Sequence, residues 1–244
     1  MSRTIVVTGA ARGIGAATAR HFLAAGDRVF GFDLDRPDEA EDGVRYLTVD
    51  VSDPESVAAA FAEVGELDVL ISNAGVQGVG LVGEQPREDW LRVVETNLHG
   101  SYFCASEAVG RLREGGAIVF VASAAAYLGL PGRSSYCAAK AGILALARVL
   151  AVELAPRGLR ANAVCPGYVR TELVDKGIEE GWLRPDWMME RVPMDRFGRV
   201  EEVVAAIAYL AGPDAGYVTG ASLVIDGGWT VNGIGGKPDW LEHE

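Results

Sequence analysis

Histidine and cysteine are scarce in this sequence of 244 residues, which contains three of each. The histidines (His21, His99 and His243) lie far apart, and no two cysteines have the C-x-x-C spacing. Histidine and cysteine are common zinc ligands, and histidine is the usual base of a Ser-His-Asp triad. The sequence therefore predicts no metal site and no such triad. An odd number of unpaired cysteines predicts free thiols in a reducing, cytoplasmic compartment.

Basic runs and membrane-spanning segments are also missing. The formal net charge is -12, from 22 basic and 34 acidic residues, and no Lys/Arg-rich run interrupts the acidic balance. This argues against nucleic acid and anionic membranes as partners. The uncharged segment 115–132 contains Ser123 and ends in Pro131-Gly132, so it predicts a buried strand that leads into a loop, not a membrane span.

Short β-branched runs alternate with longer Ala- and Leu-rich segments of helical spacing along most of the chain. This alternation predicts one α/β domain over 1–244, a doubly wound parallel seven-stranded sheet of the Rossmann type flanked by helices. Strands are expected near 4–8, 28–33, 45–49, 67–72, 116–122, 159–165 and 222–225. Helices are expected near 13–25, 54–63, 87–112 (two in succession), 134–156 and 201–212.

Two segments interrupt the alternation. Residues 34–44 are too few for a full crossover helix, so the crossover after the second strand should be shortened. Residues 168–199 form a long segment with Trp182, Trp187 and Met188, broken by glycines and prolines. A loop of this length in a compact domain predicts a lid over the substrate.

A glycine-rich turn follows the first strand, with Gly9, Gly13 and Gly15 in G-x-x-x-G-x-G spacing. Such a turn at a helix N-terminus is typical of a pyrophosphate site. Asp33, at the end of the second strand, can accept hydrogen bonds from ribose hydroxyls and repels a 2′-phosphate. Arg12 could pair with a 2′-phosphate. An uncompensated Asp33 carboxylate beside the 2′-phosphate dianion would weaken NADP binding more than Arg12 would strengthen it. The sequence therefore favours NAD over NADP.

Tyr136 and Lys140 lie four residues apart in a predicted helix, so their side chains share one face. A tyrosine has an ordinary pKa of about 10, and a nearby ammonium would lower it. Ser123, at the end of an apolar strand, can direct its hydroxyl to the same place. These three residues together suit acid–base chemistry on an oxygen atom, whereas the Tyr-x-x-x-Lys spacing taken singly is more often an ordinary pair on an amphipathic helix.

The motifs occur in one order along the chain. After the glycine turn come Asn73-Ala74-Gly75, Asn97, Ser123, Tyr136-x-x-x-Lys140 and Pro166-Gly167-x-Val169-x-Thr171. This order resembles the short-chain dehydrogenase/reductase family in its compact branch, from Thr4 to about Trp229.

The resemblance implies four catalytic residues. Tyr136 would exchange a proton with the substrate oxygen, Lys140 would lower its pKa and hold the nicotinamide ribose, Ser123 would bind the substrate oxygen, and Asn97 would hold a relay water. The expected cofactor-binding residues are Gly9, Arg12, Gly13, Ile14, Gly15, Asp33, Leu34, Asp50, Val51, Asn73, Ala74, Gly75, Tyr136, Lys140, Pro166, Gly167, Val169 and Thr171.

The predicted function is hydride transfer between NAD(H) and a secondary alcohol or ketone. Trp and Met in 168–199 and the apolar loop 124–130 favour an apolar or cyclic substrate, whereas the charged Glu172 and Asp175 keep a sugar or polyol open. A non-catalytic dinucleotide-binding regulator is a further alternative, although such proteins usually lack the tyrosine or lysine. The family commonly forms dimers and tetramers, and the apolar helices suit burial against a partner subunit, so we predict a homotetramer. In such a tetramer, the extension 230–244 could approach a neighbouring active site through Trp240-Leu241.

Overall fold

A seven-stranded parallel sheet forms the centre of the computed structural model, which describes residues 2–37, 40–181 and 183–233. The strands are β1 (Thr4–Thr8), β2 (Arg28–Asp33), β3 (Val44–Thr48), β4 (Leu67–Ser72), β5 (Leu112–Val121), β6 (Arg160–Pro166) and β7 (Ser222–Ile225). Their order is β3-β2-β1-β4-β5-β6-β7, and all neighbouring strands are parallel. The predicted doubly wound sheet is confirmed.

Helices cover both faces of this sheet. The described helices are α1 (Gly13–Ala24), α2 (Pro54–Val64), α3 (Arg87–Val94), α4 (Gly100–Val109), α5 (Ser134–Leu154), α6 (Glu172–Glu179), α7 (Pro185–Met189) and α8 (Val200–Ala211). A π-helical turn, Glu95–His99, joins α3 to α4, so the predicted pair of successive helices is confirmed. Among the helices of the described ranges, none has the length and hydropathy needed to cross a bilayer.

The strands carry two separate cores because alternate side chains point to opposite faces. Val6, Leu70 and Ile118 pack against α2, α4 and α5, whereas their chain neighbours Ile71 and Val119 pack against α1 and α8. All five are buried. Full burial of an aliphatic side chain contributes about 1.5–3 kcal/mol, so both helical layers are held to the sheet along its central strands. From Gly116 to Val121, the uncharged segment accordingly forms the buried part of β5.

The two irregular segments differ in outcome. No helix occurs in the described part of 34–44, as predicted. The interpretation of 168–199 as a loop was wrong, because α6 and α7 lie within it. Gly177 sits inside α6, and Pro185 occupies the first position of α7, where its missing N–H is harmless. Trp182 and the pair Trp240-Leu241 fall outside the described residues.

The strand order reverses next to β1, which has β2 on one side and β4 on the other. In a parallel sheet, the carboxyl ends of strands at such a reversal border a crevice where ligands bind. Thr8, Asp33 and Ser72 end the three strands, so the glycine turn, Asp33 and the Asn73-Ala74-Gly75 segment meet at this crevice.

Candidate active site

The glycine turn connects β1 to α1 with unusual backbone geometry. Gly9 and Gly13 have φ angles of +66° and +57°, in the region that residues with a Cβ rarely adopt. A Cβ on Gly15 would lie 1.9 Å from the carbonyl oxygen of Gly9, so α1 packs directly onto the turn. The first N–H groups of a helix have no intrahelical partner. The start of α1 is therefore suited to a phosphate.

Asn73 supports the turn from the neighbouring strand β4. Its side-chain amide donates to the carbonyl oxygens of Thr8 (2.9 Å) and Gly9 (3.1 Å). The hydroxyl of Thr8 accepts from the backbone N–H groups of Asn73 and Ala74, both at 2.9 Å. The resemblance implied a ribose contact for Asn73, whereas the structure shows its side chain engaged with the turn itself.

The Asp33 carboxylate lies at the end of β2 and is held by two backbone N–H groups. It accepts from Ala11 at 2.8 Å and from Asp35 at 3.2 Å. The Arg12 guanidinium lies 3.7 Å from the carboxylate of Asp35, and both of these side chains are exposed. Asp35 thus offsets the positive charge that could otherwise favour a 2′-phosphate.

A cavity of about 330 Å³ lies at the crevice. Most of the predicted cofactor-binding residues line it, namely Gly9, Arg12, Gly13, Ile14, Asp33, Leu34, Asp50, Val51, Asn73, Ala74, Gly75 and Thr171. Five residues that sequence reasoning did not single out also line it, namely Phe32, Asp35, Val49, Val76 and Thr96, as does Glu172, which the sequence indicated only as a charged residue near the substrate. They are chain neighbours of predicted residues, and this adjacency is the only signal that could have found them.

Six predicted cofactor-binding residues lie outside this lining, namely Gly15, Tyr136, Lys140, Pro166, Gly167 and Val169. Gly15 is packed behind the turn. A Cβ on Gly167 would lie 2.7 Å from the Cβ of Asp226, so Gly167 permits a close approach of two backbones at the end of β6. Val169 is buried in the core beside α1 and α8 and forms a backbone bridge to Gly198. Thr171, two residues further on, reaches the glycine turn.

Tyr136 lies in the first turn of α5, where its hydroxyl forms a hydrogen bond with Ser123. Burial raises the pKa of Tyr136 above its usual value of 10.0. The hydrogen bond with Ser123 and the nearby charge of Arg133 act in the opposite direction. The loss of hydration on burial therefore outweighs the groups that favour the phenolate. The effect of Lys140 on this pKa stays a prediction.

Lys140 lies one turn further along α5 and is 4% exposed. Its Nζ donates to the carbonyl oxygen of Val121 at 2.8 Å and lies 5.6 Å from the centre of the Tyr136 ring. Burial lowers the pKa of Lys140 from 10.5 to about 8. The Lys140 amine is therefore largely protonated at neutral pH, although its charge loses favourable hydration on burial.

Asn97 occupies the π-helical turn between α3 and α4. Its Nδ2 donates to the carbonyl oxygens of Val76 (2.9 Å) and Val93 (2.8 Å). Its Oδ1 is buried and, among the described residues, has no hydrogen-bond partner. A Cβ placed on Gly75 would lie 2.4 Å from this oxygen and 3.5 Å from Lys140 Nζ, so both atoms face Gly75. Single π-helical turns often mark functional positions, and this one directs an acceptor toward Gly75, which Lys140 Nζ also faces.

Two polar residues near Tyr136 escaped the sequence analysis. Gln77 forms a side-chain hydrogen bond with Tyr136, and Arg133 donates from Nη1 to Oε1 of Gln77 at 3.1 Å. Arg133 is the residue immediately before α5 and lies three residues before Tyr136 in the chain. This closeness in sequence was the available signal for Arg133. No local pattern indicates Gln77, which a different segment contributes.

The comparisons with known proteins agree with this geometry. The model of a family described as Enoyl-(Acyl carrier protein) reductase matches residues 9–230. An uncharacterized short-chain type dehydrogenase/reductase of Sinorhizobium fredii is 41% identical over 246 residues, which are 96% of this chain and 45% of that protein. The chain belongs to the short-chain dehydrogenase/reductase family.

Relatives of similar length extend the family assignment. Cis-4-hydroxycyclohexanecarboxylate dehydrogenase of Sinomonas cyclohexanicum is 42% identical over 244 residues, covering 94% of this chain and 97% of that protein. The ligand-free structure of Thermoplasma acidophilum aldohexose dehydrogenase has a TM-score of 0.90 and 31% identity, covering 98% of both chains. A structure of ElxO with NADP bound has a TM-score of 0.87 and 30% identity, covering 95% of this chain and 100% of that one.

Family membership confirms the predicted class of enzyme, an oxidoreductase that acts on CH–OH groups, and its nicotinamide dinucleotide cofactor. The residues present fit that cofactor. The turn at Gly9 and Gly15 leaves no room for a Cβ, and Asn97 offers an unpartnered oxygen where Lys140 and Gly75 meet.

Proposed function

We propose that this enzyme interconverts a secondary alcohol and its ketone with NAD(H), and that Tyr136 is the general acid and base. The arrangement around Tyr136 carries the proposal. Ser123 follows β5, Tyr136 and Lys140 come from α5, and Asn97 comes from the π-helical turn, yet all four converge at the carboxyl edge of the sheet. Proton transfer by a positioned side chain of this kind accelerates reactions by about 10²–10⁴-fold.

Each of these side chains has a distinct part in the reaction. In the direction of oxidation, the phenolate form of Tyr136 takes the hydroxyl proton of the substrate while Ser123 holds that hydroxyl by a hydrogen bond; in the direction of reduction, the Tyr136 phenol gives the proton to the carbonyl oxygen. The bound nicotinamide supplies the hydride acceptor, or the hydride donor in the reverse direction. Lys140, fixed by the Val121 carbonyl, presents positive charge beside the phenol. Asn97 Oδ1 accepts a hydrogen bond from a water that passes the proton toward solvent.

NAD is the proposed cofactor, with NADP used less well. The Asp33 carboxylate, positioned by Ala11 and Asp35, has free lone pairs for the ribose hydroxyls and would repel a 2′-phosphate. The charge of Arg12 is already opposed by Asp35. Both observations favour the unphosphorylated ribose.

The proposed substrate is apolar or cyclic next to its reacting carbon. Ala124, Val192 and Trp229 form a small buried cluster, against which Leu128, Leu130, Tyr168 and Met189 pack. The cluster, called here the apolar wall, joins the loop after Ser123 to the segment after α7, and Ser123 is a hydrogen-bond partner of Tyr136. A relative named for a hydroxycyclohexane substrate supports this choice. The similarity to an aldohexose dehydrogenase keeps a sugar as the second candidate.

The proposal includes the organisation of the whole chain. Residues 1–244 form one dinucleotide-binding domain, and 168–199, with its two short helices, serves as the substrate lid. Between α4 and α5 lies an apolar groove of about 410 Å³, lined by Leu98, His99, Tyr102, Phe103 and Leu146. Exposed Tyr102, Val149 and Val152 extend this face, which suits burial against further copies in a homotetramer. Free Cys104, Cys137 and Cys165 suit the cytoplasm.

The direct test is a turnover screen with NAD⁺ over secondary alcohols, cyclic hydroxy compounds and aldoses, followed by NADH fluorescence. We expect turnover of cyclic or apolar alcohols above that of aldoses. Preferred turnover of aldoses would establish the second candidate. A protein that binds NADH but converts no member of the panel would contradict the proposed reaction and support a regulatory dinucleotide-binding role.

A further inference from the structure

Arg133 carries a positive charge next to Tyr136 without a carboxylate to balance it. Its Nη1 donates to two neutral acceptors, Oε1 of Gln77 (3.1 Å) and the carbonyl oxygen of Gly78 (3.4 Å). No ion pair joins Arg133 to any residue in the described ranges. In a chain with a net charge of -12, a half-buried guanidinium without an acidic partner has capacity for an anion.

The position of Arg133 ties it to the reacting centre. It is the residue immediately before α5, and the Gln77 side chain that holds it also forms a hydrogen bond with Tyr136. The guanidinium therefore lies only one side chain away from the phenol. Burial raises the pKa of both Tyr136 and Tyr168, and the charge of Arg133 opposes this rise at each of them, so both phenols lie within its field.

Tyr168, the second phenol in the field of Arg133, joins an apolar cluster and a second arginine. Tyr168 stacks on Trp229 with a ring separation of 4.2 Å and belongs to the apolar wall. Arg191 lies 4.9 Å from the ring centre of Trp187, and its charge also opposes the rise that burial gives to the pKa of Tyr168. Like Arg133, Arg191 forms no ion pair with another described residue. A substrate held at Tyr136 therefore has the Arg133 guanidinium within one intervening side chain of its reacting oxygen.

We propose that the substrate is an anionic hydroxy compound, in which an apolar spacer separates the carbinol carbon from a carboxylate or sulfonate that binds Arg133. This assignment rests on the proposed role of Tyr136 and adds the substrate class of the same site. The planar guanidinium fork binds such oxyanions through two parallel N–H···O hydrogen bonds, an arrangement that a lysine cannot reproduce. Gln77 and Gly78 hold the fork in place, which reduces the entropy lost on binding.

The kinetic test compares three substrates that share one ring: cis-4-hydroxycyclohexanecarboxylate, its methyl ester and the matching sulfonate. Wild type should prefer the anions to the ester. Arg133→Gln should reduce kcat/KM for the anions by about 10- to 100-fold more than for the ester, mainly through KM, because a charged hydrogen bond is lost. Any effect of Arg133 on the pKa of Tyr136 acts equally on anions and ester. It therefore cancels in the ratio of kcat/KM for the anion to kcat/KM for the ester. Preference between carboxylate and sulfonate identifies the natural anion.

Two further variants complete the comparison. Arg133→Lys should recover part of the preference, since it keeps the charge but loses the fork. Arg157→Gln is the matched control, because this exposed arginine lies beyond the opposite end of α5 and donates only to the Val109 carbonyl. The anion-to-ester ratio of kcat/KM in Arg157→Gln should equal that of wild type. An anion-to-ester ratio that Arg133→Gln leaves unchanged would overturn the assignment.

A binding measurement separates this proposal from the proposed reaction. Calorimetry of cyclohexanecarboxylate with the NADH complex requires no turnover, and binding should weaken at least about 10-fold in Arg133→Gln. Equal binding by wild type and Arg133→Gln would refute the anion site even if alcohols are oxidised. Loss of binding in Arg133→Gln, with no alcohol converted by wild type, would support the anion site and contradict the proposed reaction.

Discussion

Replacing Lys140 with Met should abolish activity and stabilise the protein at neutral pH. Burial lowers the pKa of Lys140 from 10.5 to about 8. At about 1.4 kcal/mol per pKa unit, this difference corresponds to about 3 kcal/mol of unfavourable charge burial. The substitution also leaves the Val121 carbonyl without its donor, which costs about 1–3 kcal/mol. We expect a net gain of about 1 kcal/mol in the free energy of unfolding, or a rise of about 2–4 °C in Tm.

The pH dependence of this gain follows from the lowered pKa. Below about pH 8, folded and unfolded chains both hold the proton on Lys140, so the full penalty of the buried charge is present. Between about 8 and 10.5, the unfolded chain keeps the proton and the folded chain releases it, so wild type gains stability as pH rises. The advantage of Lys140→Met should therefore shrink over this range and reverse above it, where only the unpartnered carbonyl remains.

Chemical denaturation of both proteins at about pH 7 and at about pH 10 measures this difference. Lys176→Met is the matched control, because the exposed Lys176 lies 3.9 Å from Glu180 and carries no burial penalty. It should show neither the gain nor its pH dependence. A Lys140→Met protein that is clearly less stable than wild type at pH 7, or whose advantage grows toward pH 10, would refute the reasoning.

Two further predictions concern the cofactor. Asp33→Ala should raise the ratio of kcat/KM with NADPH to kcat/KM with NADH by about 10- to 100-fold, because the carboxylate no longer binds the ribose or repels a 2′-phosphate; an unchanged ratio would count against Asp33 as the discriminator. Gly9→Ala should weaken NADH binding in fluorescence titrations by at least about 10-fold, since its Cβ would lie 2.8 Å from the Cα of Ala74. Gly26→Ala, with a φ of +87° and open space around it, is the control for backbone strain alone.

The sheet could be predicted because its strands are short, apolar and separated by helical segments. The residues at which the strands begin and end were harder to predict. β5 begins at Leu112 because that residue pairs with Leu67 before a shift in register, a contact between distant parts of the chain. The helices α6 and α7 were missed because Gly177 and Pro185 are ordinary helix breakers. Proline is harmless at the first helical position, and the site of a helix start is decided by packing and capping.

In the candidate site, too, local spacing could be predicted from the sequence, whereas contacts between distant segments could not. The four-residue spacing of Tyr136 and Lys140 indicates a shared helix face without knowledge of the fold. The raised pKa of Tyr136 could not be foreseen, because it depends on burial by segments far away in the sequence. Nor does any local pattern reveal that the turn around Asn97 is π-helical, or that this leaves its Oδ1 unpartnered.

The central claim is that Tyr136 transfers the proton, and the most direct measurement is the rate of NADH formation by Tyr136→Phe with the best alcohol of the screen. Tyr209→Phe, a change at an exposed tyrosine of α8, is the control for loss of a hydroxyl. We predict that Tyr136→Phe lowers kcat by about 10²-fold or more while NADH binding is retained, and that Tyr209→Phe matches wild type. Full activity in Tyr136→Phe would contradict the account.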